Sequence, residues 1–232
     1  MKKLIIIIMK KFLIIPTLLF SYFSLFGQVL QTVQSVDTHS YYEILSPKSG
    51  KTLSYSDISG SPYYKKEFTP AKVADNYETL VARYNSYSDE IEFQKDEKVH
   101  VLPKQDVFSK IIFTNTKEKL ALVNTGDDLS GYFFELSSGK YPLYKKVKTR
   151  FIDMVKSSNG YAEDKPAKFQ TLEPKYYIKT EKGFIKDPKN LKEIVDQIPE
   201  KKEAIETFVK SNKIKFNKEE DLIKLVNFLN QN

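Results

Sequence analysis

The feature that most constrains this fold is a change of hydrophobic period near residue 187. Between residues 77 and 186, apolar side chains recur at every second position in short runs; beyond 187 they recur every third or fourth. Alternation of that kind marks half-buried strands, and the longer spacing marks amphipathic helices. Run 77–84 places Thr79 and Val81 on one side, and Leu80, Ala82 and Tyr84 on the other. Run 90–94 turns Ile91 and Phe93 inward. Further strands are predicted at 99–102, 110–114, 119–123, 132–136 and 141–147, with 149–153 continuing the sheet. Strand signals return at 168–172 and 176–180, and Glu181-Lys182-Gly183 turns the last of these into Phe184-Ile185 as a terminal hairpin. Short strands at spacings of roughly 8–12 residues, separated by Asn, Asp, Ser and Gly, predict an antiparallel meander closing into a sandwich or partial barrel. Ahead of it, Gly50, Ser54, Ser56, Ser59, Gly60, Ser61 and Pro62 mark a loop-rich stretch.

In the tail, Asp187-Pro188 reads as an N-cap followed by proline at the first helical position. Leu191, Ile194, Val195 and Ile198 form one stripe, and Pro199 resets the chain. Ile205, Phe208 and Val209 form a second, ended by Asn212. Asn217 with Glu220 resembles a capping box ahead of Leu222, Ile223, Leu225, Val226 and Leu229. Three helices of about three turns are marginal alone. They are expected to clamp the sheet or to form a small partner-binding module. The fold class expected is therefore α+β: a mainly antiparallel β meander with a C-terminal α-helical tail.

Residues 1–27 read as an address. Lys2, Lys3, Lys10 and Lys11 precede an apolar, uncharged run at 12–26, and Gly27 follows. This is the n-region, h-region and small residue of a secretory signal peptide, cut between Gly27 and Gln28. Met9-Lys10-Lys11 reads as a second n-region, so a start at Met9 gives a compact signal by itself. The competing reading is an uncleaved anchor. The run is 15 residues long, against the ~20 a spanning helix needs. Inserting 4–26 whole would place Lys10 and Lys11 in hydrocarbon, at about 2.5–3.5 kcal/mol each near its centre. The chain thus divides into 1–27 signal, 28–186 β-rich domain with a lead-in, and 187–232 helical tail. The expected location is periplasmic, outer-membrane associated or secreted.

Removing 1–27 takes away four lysines and no acids, which lowers the formal charge from +7 to +3. Much of the basicity therefore belongs to the address and does not point to a nucleic-acid partner. The remainder is polarised: residues 28–140 sum to −3 and residues 141–232 to +6. The chain contains no cysteine. In an exported protein this removes disulfides, an N-terminal lipid-modified cysteine, thiolate metal sites and a cysteine nucleophile at once.

Catalytic motifs are missing. There is no H-E-x-x-H, no G-x-S-x-G and no glycine-rich phosphate loop, and His39 and His100 lie far apart. His100, between Val99 and Val101, is expected to be the outward residue of its strand. No catalytic residue, metal ligand or cofactor is assigned. Two acidic clusters could serve glycan hydrolysis as a carboxylate pair or hold calcium. They are Asp89, Glu90 and Glu92, and Asp127 with Asp128, near which Glu135 is the third group to inspect. Glu90 and Glu92 fall on one face of a strand, expected to be the solvent face. Paired tyrosines at 41–42, 63–64 and 176–177 should each send one ring inward and one outward, giving an exposed row for sugars or a protein interface. Lys145, Lys146, Lys148 and Arg150 form a basic run, with the last three on one face, suited to lipid phosphate or acidic glycan, or to protecting an edge strand.

The segments G60-S-P-Y-Y-K-K-E-F68 and R83-Y-N-S-Y-S-D-E-I-E-F93 resemble a group of exported proteins of Bacteroidota-type bacteria. Those carry G-S-P-Y-x4-F ahead of R-Y-N-x-Y-x-D-E-I-E. The likeness extends through G131-Y-F-F-E135, Y144-K-K-V-K148 and N212-K-I-K-F-N-K-E-E-D-L-I223. It implies an envelope or secreted destination and carries over no activity, ligand or catalytic residue. The function expected is a non-enzymatic envelope or secreted binding or structural protein, with an envelope protein or glycan as partner and no nucleic acid. Two alternatives stand beside it: an envelope glycan hydrolase using a carboxylate pair, and a peripheral outer-membrane component docking through its basic tail.

Overall fold

The structure, a computed structural model, describes residues 42–74, 79–157 and 163–231. The address segment 1–27, the lead-in 28–38, His39, Tyr41, Tyr77 and the centre of the polar excursion at 158–162 lie outside the described residues.

Fourteen strands are described: β1 (Glu43–Ser46), β2 (Lys51–Ser54), β3 (Thr69–Lys72), β4 (Leu80–Asn85), β5 (Glu90–Lys95), β6 (Lys98–Val101) and β7 (Lys110–Phe113); then β8 (Lys119–Val123), β9 (Gly131–Ser137), β10 (Leu143–Lys146), β11 (Thr149–Ile152), β12 (Lys168–Thr171), β13 (Lys175–Thr180) and β14 (Gly183–Lys186). Ten of them form one antiparallel sheet in the order β14-β13-β10-β9-β8-β7-β3-β4-β5-β6. The meander read from the sequence is present as β4-β5-β6 and β7-β8-β9-β10, and β13-β14 is the expected hairpin.

The sheet curls on itself. Tyr84 of β4 and Phe134 of β9 are four strand steps apart, roughly 19 Å in a flat sheet, yet their rings meet at 5.9 Å. The curl encloses Ala82, Tyr84, Phe93, Phe113, Leu120 and Phe134 on the inner face, all buried. Closure is incomplete: β6 and β14 remain edges, so this is a partial barrel.

Two short ribbons depart from the expected pattern. Strand β11 was expected to continue the sheet; it pairs with β12 instead, as a separate two-stranded ribbon. Thr149 explains the departure, because its N–H bonds to Ser86 O at 3.0 Å and its hydroxyl lies 2.8 Å from that of Ser86. The ribbon is thus pinned across the β4–β5 turn. The supposed loop around Gly50 contains the β1-β2 hairpin, whose Leu45 is exposed and which therefore shows no buried periodicity. Strand β3 was also missed. It holds Pro70, which offers the sheet only its carbonyl, taken by Thr114 N–H at 2.9 Å.

The tail forms α1 (Leu191–Gln197), α2 (Lys202–Asn212) and α3 (Glu219–Gln231). The cap of α1 is Asn190, whose side chain accepts from Glu193 N–H at 3.2 Å, and not Asp187. Asp187 has a left-handed φ of 49° and gives its N–H to Tyr176 O, so it prolongs the hairpin and cannot cap. Pro199 opens a short 3-10 turn before α2, and Lys213, left-handed, ends α2 after Asn212. Ile194, Ile198, Ile205, Leu222, Leu225 and Leu229 share one core with Leu143, Ile178 and Ile185 of the sheet. Burial of each such side chain contributes about 1.5–3 kcal/mol. Asn230 latches the end of α3: its side chain accepts from Tyr141 N–H at 2.8 Å and donates to Ser138 O at 3.2 Å. Any side chain at Gly139 would collide with that amide. The tail is therefore a clamp on the inner face at the β10-β13-β14 end.

Candidate functional site: the outer face of the sheet

The opposite, outer face has two parts, one covered and one open. On the covered part, strand register sets Arg83 opposite Glu92. Glu92 is 0% exposed, contrary to the solvent face expected for it. Tyr42, Tyr63 and Phe68, from the segment ahead of β4, reach this part of the sheet. The Glu92 carboxylate accepts from Arg83 Nε at 2.8 Å and Nη2 at 2.7 Å, Asn85 Nδ2 at 2.8 Å and Tyr42 OH at 3.1 Å. The guanidinium lies between the rings of Tyr63 and Phe68, 3.6 and 4.1 Å from their centroids. Burial, and then the Glu92 charge, push the Tyr42 and Tyr63 phenols well above their ordinary value. Tyr63, Phe68, Arg83, Asn85 and Glu92, from the segments 60–68 and 83–93, meet here. Paired and enclosed, this cluster holds the fold together.

A second buried network stands where the curled sheet meets itself. Asp89, left-handed at φ 59°, accepts from Tyr84 OH at 2.7 Å, Lys104 Nζ at 2.8 Å and Lys146 Nζ at 2.6 Å. Lys146 also donates to Tyr132 O at 2.9 Å. Burial lowers the Lys146 pKa against the pull of Asp89. Any side chain at Gly131 would collide with the Asp89 carboxylate. The basic run is thereby corrected. Strand β10 lies between β9 and β13 and is no edge; Lys146 is buried on Asp89; Lys145 pairs with Glu219 at 3.0 Å; and Arg150 donates to Gln170 at 3.0 Å. Three of its four cations are already engaged.

The remaining sequence candidates also disperse. Asp127 accepts from Thr125 OH at 2.5 Å, Leu129 N–H at 3.0 Å, Tyr177 OH at 3.1 Å and Lys186 Nζ at 2.7 Å. Burial alone would raise its pKa, and these donors, Lys186 foremost, outweigh it and hold it far below the ordinary value. Asp128 is exposed in the turn beside it. Glu135, on β9, accepts from the Ser138 hydroxyl. Glu118, Asp153 and Asp221 are likewise lowered. Every described carboxylate with a displaced pKa is thus displaced downward, the reverse of a general acid. His100 is not outward: it sits opposite Phe93 in register and stacks on that ring at 5.2 Å. The tyrosine pairs do not form an exposed row. Tyr176 and Tyr177 are both buried: Tyr176 faces α3 and bonds to Glu219, and Tyr177, on the outer face, is enclosed by the neighbouring rings of Phe133 and Phe184 and by Asp127.

The open part runs from β7 to β14. Register aligns Lys110 and Ile112 of β7, Lys119 of β8, Glu135 of β9, Tyr144 of β10, Lys179 of β13 and Phe184 of β14 on this one face. Two hollows, of about 500 and 410 Å³, lie along it and share Lys110, Glu135 and Tyr144. Lys110, Lys119 and Lys179 are exposed, and none is in an ion pair among the described residues. Tyr144 and Phe184 are half-buried. Their rings pack against Phe133 and Tyr177 beneath them. This surface was not legible in the sequence. Its lysines occupy the ordinary polar positions of three separate strands, and only strand order brings them together.

Among the described residues, no group of three or more His, Asp or Glu could hold a metal ion, and no helix is long and apolar enough to cross a membrane. No family model, curated protein or solved structure matches the chain.

Proposed function

We propose that the mature chain is an exported, non-enzymatic binding protein of the cell envelope, and that the open outer face between β7 and β14 is its binding surface. The observation that carries the reading is the contrast between the two parts of the outer face. Around Arg83 and Glu92 every charge is matched and enclosed; between β7 and β14 three lysines without partners flank half-exposed rings over two joined hollows. Unmatched cations beside aromatic surface are the composition of a recognition face. The four donors already held by Asp127 count against its serving in a carboxylate pair. Among the described residues, the tail's most apolar stripe is buried against the sheet.

Lysine acylation tests this. In purified mature protein, Lys110, Lys119 and Lys179 should react like the exposed Lys51, Lys95 and Lys98. In intact envelopes the first three should be protected and the second three should not. Equal labelling of all six in envelopes would remove the reading.

A further inference from the structure

We infer that the occupant of the outer face is a linear, acidic polysaccharide lying across the strands; the inference rests on the binding-face reading above. Three observations favour that chemistry. The first is charge. The face presents Lys110, Lys119 and Lys179 against a single carboxylate, Glu135, which is itself hydrogen-bonded to Ser138. Ammonium groups on flexible stems follow carboxylates spaced along a chain, without the bidentate geometry an arginine would impose.

The second is shape. The hollows are open and adjoin at Lys110, Glu135 and Tyr144, and the lysines are dealt out over β7, β8 and β13. Strand order puts four steps between β7 and β13, about 19 Å at ~4.8 Å a step. That span suits several units of an extended chain and no compact metabolite. The third is the character of the lining. Tyr144 and Phe184 give ring surface for the C–H faces of sugars. Ser109, Asn124 and Ser138 supply short polar groups for hydroxyls. An acidic peptide recognised by strand addition would need a free strand edge, and β7, β8, β9, β10 and β13 are each paired on both sides.

The test is calorimetric titration of the mature protein, residues 28–232, with polygalacturonate, and with neutral dextran, poly-glutamate and oligo-thymidylate as comparisons. Polygalacturonate should bind with a salt-dependent affinity exceeding that for the other three polymers by tenfold or more. The triple variant Lys110→Ala/Lys119→Ala/Lys179→Ala should lose at least tenfold. All three side chains are exposed, so its melting temperature should match the parent's, and a thermal scan checks this. Tyr144→Ala should lose affinity at unchanged salt dependence, whereas Tyr144→Phe should retain it. No binding of polygalacturonate, equal binding of poly-glutamate or oligo-thymidylate, or full affinity in the triple variant would each overturn the inference. If it falls while the three lysines remain protected in envelopes, the binding face stands with a different partner; if protection is also missing, both fall together.

Discussion

Arg83→Met is the sharpest probe of what holds the covered part of the sheet. The substitution keeps an unbranched apolar stem between Tyr63 and Phe68 and removes the charge facing Glu92. Glu92 is fully buried and retains Asn85 and Tyr42 as donors, but neither carries a positive charge. Breaking a buried pair by removing one partner costs about 3–5 kcal/mol. In a domain of this size that lowers the melting temperature by about 6–20 °C. The assay is urea unfolding of residues 28–232 followed by far-UV circular dichroism. A second variant fixes the cause. In the parent, Glu92→Gln should destabilise, since it discards the ion pair. In the Arg83→Met background it should stabilise, since it discards an unmatched buried charge and keeps an acceptor for Asn85. A cost for Arg83→Met below about 1 kcal/mol, or the same sign for Glu92→Gln in both backgrounds, would refute the reasoning; both thresholds follow from the buried-pair magnitude.

Leu225, fully buried between α3 and the sheet, tests the clamp: Leu225→Ala should cost about 2–5 kcal/mol and shift one cooperative transition. A sheet transition that stays in place would mean that the tail folds separately. Glu118, Asp127, Asp153 and Asp221 all have folded pKa values below their ordinary ones. The stability they contribute is therefore complete above the unfolded carboxylate range of about 3.9–4.3 and is lost as pH falls below it. Urea midpoints should hold steady from pH 7 to pH 5 and drop by pH 3, and Asp127→Asn should make that drop shallower; an unchanged drop would contradict its hydrogen-bonded, ionised state. Intact-mass analysis of natively expressed protein should give a chain beginning at Gln28. A mass retaining residues 1–27 would contradict cleavage.

Strand positions in the meander were legible because one face of each strand is buried by its own curl, so alternation survives in the sequence: Ile91 and Phe93 read directly. Helix stripes were legible for the same reason. What could not be read was the second layer. Whether Glu92 meets water depends on a segment some thirty residues earlier folding over it. Whether Lys146 is a surface cation depends on the β4–β5 turn delivering Asp89 to it. Alternation reports which side of a strand a residue is on, and nothing about what covers that side. The same limit hid the open face. Lys110, Lys119, Tyr144, Lys179 and Phe184 are unremarkable in their own strands, and the sheet order that unites them skips from β10 to β13 because β11 and β12 leave to form a ribbon of their own.

The most direct measurement of the central claim is photo-cross-linking in living cells, with a benzophenone side chain placed singly at two sites. One is Glu135, at the middle of the open face; the other is Glu206, exposed on α2. High-mass adducts are expected from position 135 and none from position 206. Adducts from position 206 alone would contradict that claim and move the binding surface to the helical tail.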